Sequence, residues 1–159
     1  MKFRIGLGFD VHQLKEGYPL WLGGIRLESE KGAVGHSDAD VLIHAVCDAL
    51  LGAANLRDIG HHFPNTDPQY RNADSKILLA KVIALLKERG YNVGNVDVTL
   101  TLEAPKVNPH IPAMQRILAP ILGVSEDEVS IKATTNESLG YVGRQEGVNA
   151  YAVALIYRP

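Results

Sequence analysis

The N-terminal part of the chain constrains the fold most, because a strand pattern is followed there by a helix pattern, and both contain possible metal ligands. Arg4 to His12 has the pattern of a β-strand, so Asp10 and His12, two residues apart, should point to one face. Apolar residues then recur with helical spacing from residue 41 to residue 50, which predicts a helix packed on a sheet. His44 lies inside that helical run.

These three side chains are a possible metal site. One carboxylate and two imidazoles suit Zn²⁺, and three protein ligands leave the fourth tetrahedral position open for water or substrate. A single Asp or His is more often a hydrogen-bonded structural residue, however, and the Asp-x-His spacing alone is weak support for a metal. The hypothesis therefore depends on the residues further along the chain.

The remaining periodicity predicts an alternation of strands and helices. The first strand covers residues 2–12, and Tyr18 to Leu27 is extended, with a bulge or hairpin turn at Gly23-Gly24. Ser37, with Asp40 three residues later, resembles a capping box and should begin the helix that ends near Ala54. The segment from Asn55 to Asn72 has no clear periodicity and is predicted to be a long functional loop.

The second half of the chain continues the pattern. A helix from Ala73 to Arg89 should bury Ile77, Leu78, Leu79, Val82, Leu85 and Leu86 and stop at Gly90. A half-buried strand from Asn95 to Thr101 should place Asp97, Thr99 and Thr101 on its polar face. Further predicted elements are a helix from Pro112 to Leu122 that Pro120 should kink or end, and strands at Val129–Ala133 and Tyr151–Arg158. We therefore expect one α/β domain spanning residues 1–159, a sandwich of a mixed β-sheet with helices on one face.

Composition limits the classes of function. The 159 residues include 46% apolar and 21% charged side chains, ordinary values for a globular protein with a substantial core. The net charge of −2 offers no global attraction to nucleic acid or an anionic membrane, and neither partner is expected. A phosphorylated ligand would have to be bound by local charge and backbone amides.

Cysteine content and hydropathy point to a reducing compartment. Cys47 is the single cysteine and lies on the apolar face of the predicted helix, which excludes a disulfide framework and favours a core position over a nucleophile. No apolar run approaches the roughly 18 residues of a spanning helix, and the N-terminus does not resemble a signal peptide. We expect a cytoplasmic protein of bacterial type, or a plastid protein after removal of a transit segment.

Several separate stretches are suited to binding anions. His36-Ser37 lies at a predicted helix start, where free amides and the helix dipole favour phosphate. Further stretches add hydroxyl, amide and cationic groups: the loop residues at 58–60 and 65–67, Lys106 after Ala104-Pro105, and the segment 133–137 followed by Arg144. Each alone has a plain structural explanation. Together with the possible zinc ligands they describe a site for a diphosphate and two metal ions, with Glu137 serving a harder second ion, Mg²⁺ or Mn²⁺.

Six motifs in order along the chain resemble those of the 2-C-methyl-D-erythritol 2,4-cyclodiphosphate synthase family. They are Gly8-Phe9-Asp10-Val11-His12, Ala39-Asp40-Val41 with His44-Ala45, Asp58-Ile59-Gly60 with Phe63-Pro64, Ala104-Pro105-Lys106, Lys132-Ala133-Thr134-Thr135 and Gly143-Arg144. The resemblance implies a lyase of the non-mevalonate isoprenoid pathway. Its substrate would be 4-diphosphocytidyl-2-C-methyl-D-erythritol 2-phosphate, and its products the cyclic diphosphate and CMP.

The resemblance also implies roles for individual residues. Asp10, His12 and His44 would bind Zn²⁺, Glu137 would hold the second cation, and His36 and Thr135 would stabilise charge during catalysis. The expected substrate-binding residues are Asp10, His12, His36, Ser37, Asp58, Ile59, Gly60, Phe63, Pro64, Asn65, Thr66, Asp67, Leu102, Glu103, Ala104, Pro105, Lys106, Ala133, Thr134, Thr135, Asn136, Glu137, Tyr141 and Arg144. Leu102 and Glu103 are expected to contact the ligand mostly through their backbone.

The family assembles as a homotrimer with each active site between two subunits, so the same assembly is expected here. Phe9, Arg144 and Glu146 resemble residues lining the family's central cavity, where an isoprenoid diphosphate can bind. Asn65, Tyr141 and Asn136 depart from the family's usual Asp, Phe and Thr and should tune the pocket.

Some residues near the motifs are expected to have other roles. His61 and His62 are interpreted as loop residues, and Asp48 either orders His44 as a hydrogen-bond acceptor or is a surface carboxylate. Two other functions stay open at this point: a metal-dependent phosphohydrolase using the same three ligands, and a nucleotide- or isoprenoid-binding regulatory trimer without turnover.

Overall fold

The computed structural model describes residues 2–159, which form two sheets and a layer of helices. The strands are β1 (Lys2–Glu16), β2 (Leu20–Leu22), β3 (Ile25–Leu27), β4 (Lys31–Val34), β5 (Asn92–Thr101), β6 (Val129–Thr134) and β7 (Gly147–Arg158). The helices are α1 (Val41–Ala53), α2 (Ile59–His62), α3 (Ser75–Glu88), α4 (Ile111–Leu122) and α5 (Gly140–Gly143). Short 3₁₀ turns lie at Pro68–Tyr70, Asn108–His110 and Glu126–Glu128.

The main sheet has five strands in the order β4-β1-β7-β5-β6, and β2 and β3 form a separate hairpin. Only β5 and β6 pair in parallel among the described strands; β1 pairs antiparallel with β4 and β7, and β5 pairs antiparallel with β7. The predicted α/β class with a mixed sheet is therefore confirmed.

Helix α1 packs unusually close to β1 because two glycines on that strand have no side chain. A Cβ at Gly6 would lie 2.0 Å from the Ala49 carbonyl oxygen, and one at Gly8 would lie 1.9 Å from that of Ala45. The facing positions of the helix are small residues as well, so the backbones can approach directly. This approach brings His44 of α1 to the part of β1 that carries Asp10 and His12.

The two faces of the main sheet differ in their exposure. On the helix-covered face, alternate residues of β5 and β7 such as Val98, Leu100 and Ala152 are almost completely buried. On the opposite face, a row of large apolar side chains is exposed by between 43 and 74%: Phe3, Ile5, Leu7, Phe9, Val11, Tyr151 and Val153. We call this row the outer apolar stripe.

The predicted elements exist, with several differences in their bounds. β1 runs on to Glu16, β7 begins at Gly147 and β5 at Asn92, while β4 and α5 had no counterpart in the prediction. Gly23-Gly24 forms the predicted hairpin turn between β2 and β3, and α4 continues through Pro120 to a left-handed Gly123.

Three local predictions were wrong. The segment 55–72 is not wholly irregular, because Asp58 caps α2 and places His61 and His62 on that helix. Ile77 is 56% exposed, since α3 turns Leu78, Leu79, Val82, Ile83 and Leu86 inward instead. Thr101, expected on the polar face of β5, is buried and donates a hydrogen bond to the Asn149 side chain.

The start of α1 also differs from the prediction. Asp40, not Ser37, is the N-cap, and its carboxylate accepts hydrogen bonds from the backbone N–H groups of Ile43, Gly23 and Gly24 at 3.1, 3.0 and 2.7 Å. Ser37 instead accepts from the Ala39 N–H at 3.2 Å. His36 and Ser37 therefore precede the helix, and the amides of its first turn do not provide their phosphate site.

Cys47 is buried in the core, as predicted, and burial raises the pKa of its thiol. Within residues 2–159 none of the helices combines the length and the apolar character that a membrane span requires. The cellular location stays a prediction.

Candidate metal centre and ligand cavities

Three side chains converge where β1 passes the N-terminal part of α1. Asp10 Oδ2 lies 2.9 Å from His12 Nε2 and 3.0 Å from His44 Nδ1, and these two nitrogens are 3.2 Å apart. In a tetrahedral site with bonds near 2.0–2.1 Å, neighbouring ligand atoms are separated by about 3.3 Å. The three atoms can therefore hold one metal ion.

The electrostatics of this cluster favour an ionised carboxylate. Burial opposes ionisation of Asp10, but the hydrogen bonds and charges of His12 and His44 outweigh it and lower its pKa to about 2. Burial likewise disfavours a charged His12, yet its hydrogen bond to Asp10 raises the pKa of the ring above the ordinary value. A metal ion would replace this proton as the positive partner of Asp10.

The other ring nitrogens of both histidines are also engaged. His12 Nδ1 lies 3.0 Å from the Val34 carbonyl oxygen, which can only accept, so this nitrogen carries the proton and Nε2 offers its lone pair to a metal. His44 Nε2 lies 2.8 Å from Ser75 Oγ and 3.2 Å from Ser37 Oγ. Asp48 does not order His44: its carboxylate accepts from the Ile59 N–H at 2.8 Å, because its helix face turns toward α2.

The metal cluster lines a cavity of about 420 Å³, within the usual range for small-ligand sites. Of the expected substrate-binding residues, this cavity brings together Asp10, His12, His36, Ser37, Ile59, Gly60, Phe63 and Asn65. His36 Nε2 is buried without a hydrogen-bond partner among the described residues. An unpaired buried nitrogen is unfavourable, so the ring would gain from a ligand that offers it a partner.

The segment 55–72 forms one wall of this cavity and is attached to α3. The rings of Phe63 and Tyr70 pack edge to face with centroids 5.3 Å apart. Lys81 Nζ lies 5.1 Å from the Tyr70 centroid and 6.0 Å from that of Phe63. Asp58, Pro64, Thr66 and Asp67 do not line the cavity, and the Asp58 carboxylate is used to cap α2 by accepting from the His61 N–H at 2.9 Å.

A second cavity of about 480 Å³ lies at the ends of β5 and β6. It brings together Leu102, Glu103, Pro105, Lys106, Ala133, Thr134 and Thr135, and the Ala104–Pro105 peptide bond beside it is cis. Glu103 also acts through its side chain, because Oε1 accepts from the Asn136 N–H at 2.7 Å. This bond joins the two segments that form the cavity.

The remaining expected residues, including Ala104 and Asn136, lie outside both cavities. Glu137 is exposed, with a left-handed backbone at φ 52°, and its N–H donates to Thr135 Oγ1 at 3.3 Å. The Tyr141 hydroxyl accepts from Asn149 Nδ2 at 2.5 Å. Arg144 forms an exposed ion pair with Glu146, Nε to Oε1, at 2.9 Å.

The two cavities share no lining residue and lie three strands apart. Asp10 pairs with Ala150, Ala150 with Leu100, and Leu100 with Ala133. At about 4.8 Å per strand, the backbones at Asp10 and Ala133 are roughly 14 Å apart. Within one chain the metal cluster and the Thr134-Thr135 segment therefore belong to separate surfaces.

Sequence reasoning missed several lining residues. Gly35, Tyr70 and Leu78 line the first cavity, and Val107, Asn108 and Pro109 the second. Ser75, which contacts His44, was also missed. Tyr70, which lies in the long loop, and Leu78, which follows it on α3, could have been suspected from their positions, whereas no local pattern pointed to Ser75.

Comparison with known proteins places this geometry in context. The model of the YgbB family matches residues 3–157. A 2-C-methyl-D-erythritol 2,4-cyclodiphosphate synthase from Porphyromonas gingivalis is 66% identical, over 97% of this chain and 95% of the relative. Among solved structures, the CDP-bound form of a synthase of the same name has a TM-score of 0.90 at 39% identity, covering 97% of this chain and 100% of that one.

A longer relative shows the same fold as part of a larger protein. The bifunctional IspDF from Campylobacter jejuni has a TM-score of 0.93 at 39% identity, covering 98% of this chain. This chain spans only 42% of that protein.

Proposed function

The chain belongs to the YgbB family and, like its relatives, to the 2-C-methyl-D-erythritol 2,4-cyclodiphosphate synthases, and from that premise we propose its substrate, its metals and its assembly. The substrate is 4-diphosphocytidyl-2-C-methyl-D-erythritol 2-phosphate, and the products are the 2,4-cyclodiphosphate and CMP. The observation that carries the proposal is the convergence of Asp10, His12 and His44 in a cavity of about 420 Å³. The reaction is a step of non-mevalonate isoprenoid precursor synthesis.

Zn²⁺ fits the three-residue cluster best. A carboxylate oxygen and two imidazole nitrogens are ligands that zinc accepts in a four-coordinate site with one open position. Bound there, Zn²⁺ would supply positive charge for phosphate oxygens of the substrate. The second cation, Mg²⁺ or Mn²⁺, would be held by Glu137 together with the substrate diphosphate, because these ions prefer oxygen ligands.

The chain itself has no nucleophile to activate, because the substrate's own 2-phosphate is the attacking group. The protein has to hold this phosphate in line with the β-phosphorus and stabilise negative charge as CMP leaves. His36 would contribute from the first cavity and Thr135 from the second. Attack by water competes with ring closure, so a site shielded from water favours the cyclic product.

The two separate cavities support a homotrimer with shared active sites. The first cavity would hold the erythritol and phosphate parts, through residues such as Ser37 and Gly60. The second cavity, on the neighbouring subunit, would hold the cytidine diphosphate against the segments around Lys106 and Thr134. The synthase structure that is 39% identical to this chain contains CDP, which is consistent with a cytidylyl ligand for this chain.

The outer apolar stripe supports the same assembly. Large apolar side chains exposed in one row are costly in water, and a subunit interface would bury them. Phe9 belongs to this stripe, packs on Tyr151 with ring centroids 4.9 Å apart, and would face a central cavity with Arg144 and Glu146. An isoprenoid diphosphate would bind there with its chain on the aromatic rings and its phosphates at Arg144.

The test is ³¹P NMR of the cytidylyl substrate with purified protein and Mg²⁺, with and without a zinc chelator. Paired doublets of a cyclic diphosphate together with CMP, lost on chelation, are the expected result. Linear phosphate products would identify a phosphohydrolase instead. An unchanged spectrum from zinc-loaded, folded protein would leave a binding protein without turnover.

A further inference from the structure

Behind the metal cluster, two side chains that no motif pointed to form a hydrogen-bonded chain ending on His44. Ser75 is the first residue of α3 and is completely buried. Its Oγ lies 2.8 Å from His44 Nε2, and its hydroxyl donates to Asp38 Oδ1. The contacts therefore run from Asp38 to Ser75 and from Ser75 to His44, which is a member of the metal cluster.

Asp38 is held in place from three further directions. Its Oδ2 accepts from the Ser75 N–H at 2.9 Å, and its Oδ1 accepts from the Asp40 N–H at 3.2 Å. Its own N–H donates to the Ala73 carbonyl at 3.1 Å. These bonds tie the segment before α1 to the segment before α3, so the carboxylate has little freedom to turn away from Ser75.

The direction of the hydrogen bonds then follows from a count of protons. A hydroxyl has one proton, and Ser75 gives it to a carboxylate, which can only accept. Ser75 Oγ can therefore only accept a hydrogen bond from His44 Nε2, so that nitrogen must carry a ring proton. A bare Nε2 would place two lone pairs against each other at 2.8 Å.

The nearby Ser37 hydroxyl does not reverse this conclusion. Its Oγ lies 3.2 Å from His44 Nε2 and could donate to that nitrogen only if the nitrogen were bare. Because the shorter contact with Ser75 excludes a bare Nε2, Ser37 Oγ is a second acceptor for the same proton. With a ring proton held on Nε2, Nδ1, which faces Asp10 and His12, is the nitrogen whose lone pair can bind a metal ion placed between the three side chains.

We propose that Ser75, oriented by Asp38, is a positioning residue that holds a ring proton on His44 Nε2, so that Nδ1 is the nitrogen left to bind a metal ion. The inference rests on the proposed function only through its metal site, not through the cyclisation. His12 is prepared independently by the Val34 carbonyl, so loss of Ser75 should affect one imidazole and leave the other unchanged.

Two variants test the role in different ways. Ser75→Ala removes the acceptor but keeps the α3 cap, which is Asp74. Asp38→Asn replaces the acceptor with an amide that can donate to Ser75 Oγ, so the serine proton turns to His44 Nε2 and favours the wrong tautomer. Both should lower zinc affinity about 10- to 100-fold, measured by competition with a chromogenic chelator.

The protonation of each ring nitrogen is determined by ¹⁵N NMR of histidine-labelled, metal-free protein. The His44 signals are assigned by comparison with His44→Gln. We expect a protonated Nε2 on His44 in the wild type, a partly or wholly bare Nε2 in both variants, and no such change at His12. Ser37→Ala should keep the wild-type pattern and change zinc affinity by less than about threefold. Thermal unfolding of the metal-free variants separates a loss of folding from a loss of ring orientation.

A bare Nε2 on His44 in the wild type would overturn the proposal. Wild-type zinc affinity in both folded variants, or a loss confined to Ser37→Ala, would do the same. These outcomes differ from a failure of the proposed function, in which the wild-type protein would bind no zinc or would bind it without forming the cyclic product.

Discussion

At the scale of single residues, the proposed chemistry depends on two side chains that line different cavities of one chain. His36 lines the metal cavity and has an unpaired buried Nε2, whereas Thr135 lines the cavity three strands away. Both are proposed to stabilise charge that is largest while CMP leaves. Such groups contribute to the transition state more than to binding of the ground state.

We therefore expect His36→Ala and Thr135→Ala to lower kcat by roughly 10²–10³ with much smaller changes in KM. His61→Ala is the matched control, because His61 is exposed on α2, lines neither cavity and should leave both constants near those of the wild type. Steady-state kinetics of CMP release gives both parameters. A raised KM with unchanged kcat in both variants would contradict the assigned role.

The three side chains of the candidate metal site could be predicted from the sequence, whereas the residues that contact them from behind could not. Asp10 and His12 share a face by strand alternation, and His44 lies on a helix whose apolar period is clear. Ser75 reaches His44 only because Asp38 bonds to Ser75 and Ala73 across 37 and 35 residues, respectively. Such bonds depend on loop conformations, for example the left-handed backbone of Ala39 at φ 56°. The periodicity of apolar residues in the sequence does not predict these conformations.

At the scale of elements, the metal cluster depends on how closely α1 approaches β1. Gly8→Ala would place a Cβ 1.9 Å from the Ala45 carbonyl oxygen, so the helix would have to move away from the strand. We expect a loss of about 3 kcal/mol in the free energy of unfolding, together with weaker metal binding. Urea unfolding and a zinc titration measure the two effects.

Gly52→Ala is the control for this helix. Gly52 lies in α1 with open space around its Cβ position, so alanine should stabilise the protein by about 0.5–1 kcal/mol through helix propensity. Equal stability of the Gly8→Ala and wild-type proteins would show that α1 can shift without cost.

The wall formed by residues 55–72 is held by a cation over two rings. Lys81 contacts Tyr70 and Phe63, and an exposed cation–π contact contributes about 0.5–1 kcal/mol. Lys81→Ala should therefore raise substrate KM about two- to fivefold and speed hydrogen exchange in the segment, while Lys81→Arg should retain both. Lys87→Ala, at the other end of α3, is the control, and identical exchange in all variants would argue against an anchoring role.

At the scale of the whole molecule, the proposed sharing of active sites between subunits makes a quantitative prediction for mixed trimers. His44→Ala disables the first cavity and Thr135→Ala the second, so each variant alone should be nearly inactive. After random reassembly of equal amounts, about a quarter of the sites would combine two intact halves and recover activity. Sites contained within one subunit would recover none, and activity before and after reassembly distinguishes the two cases.

The pairing of β1 with β7 has a consequence for how the chain acquires its site. Lys2 pairs with Arg158 and Gln13 with Gly147, so the centre of the sheet joins the first strand made to the last. Contacts between such distant segments slow folding, since the intervening chain must first be closed into a loop. The ribosome synthesises Asp10 and His12 early and β7 last. Two of the three candidate metal ligands are thus among the first residues synthesised, on a strand whose β7 partner is synthesised last.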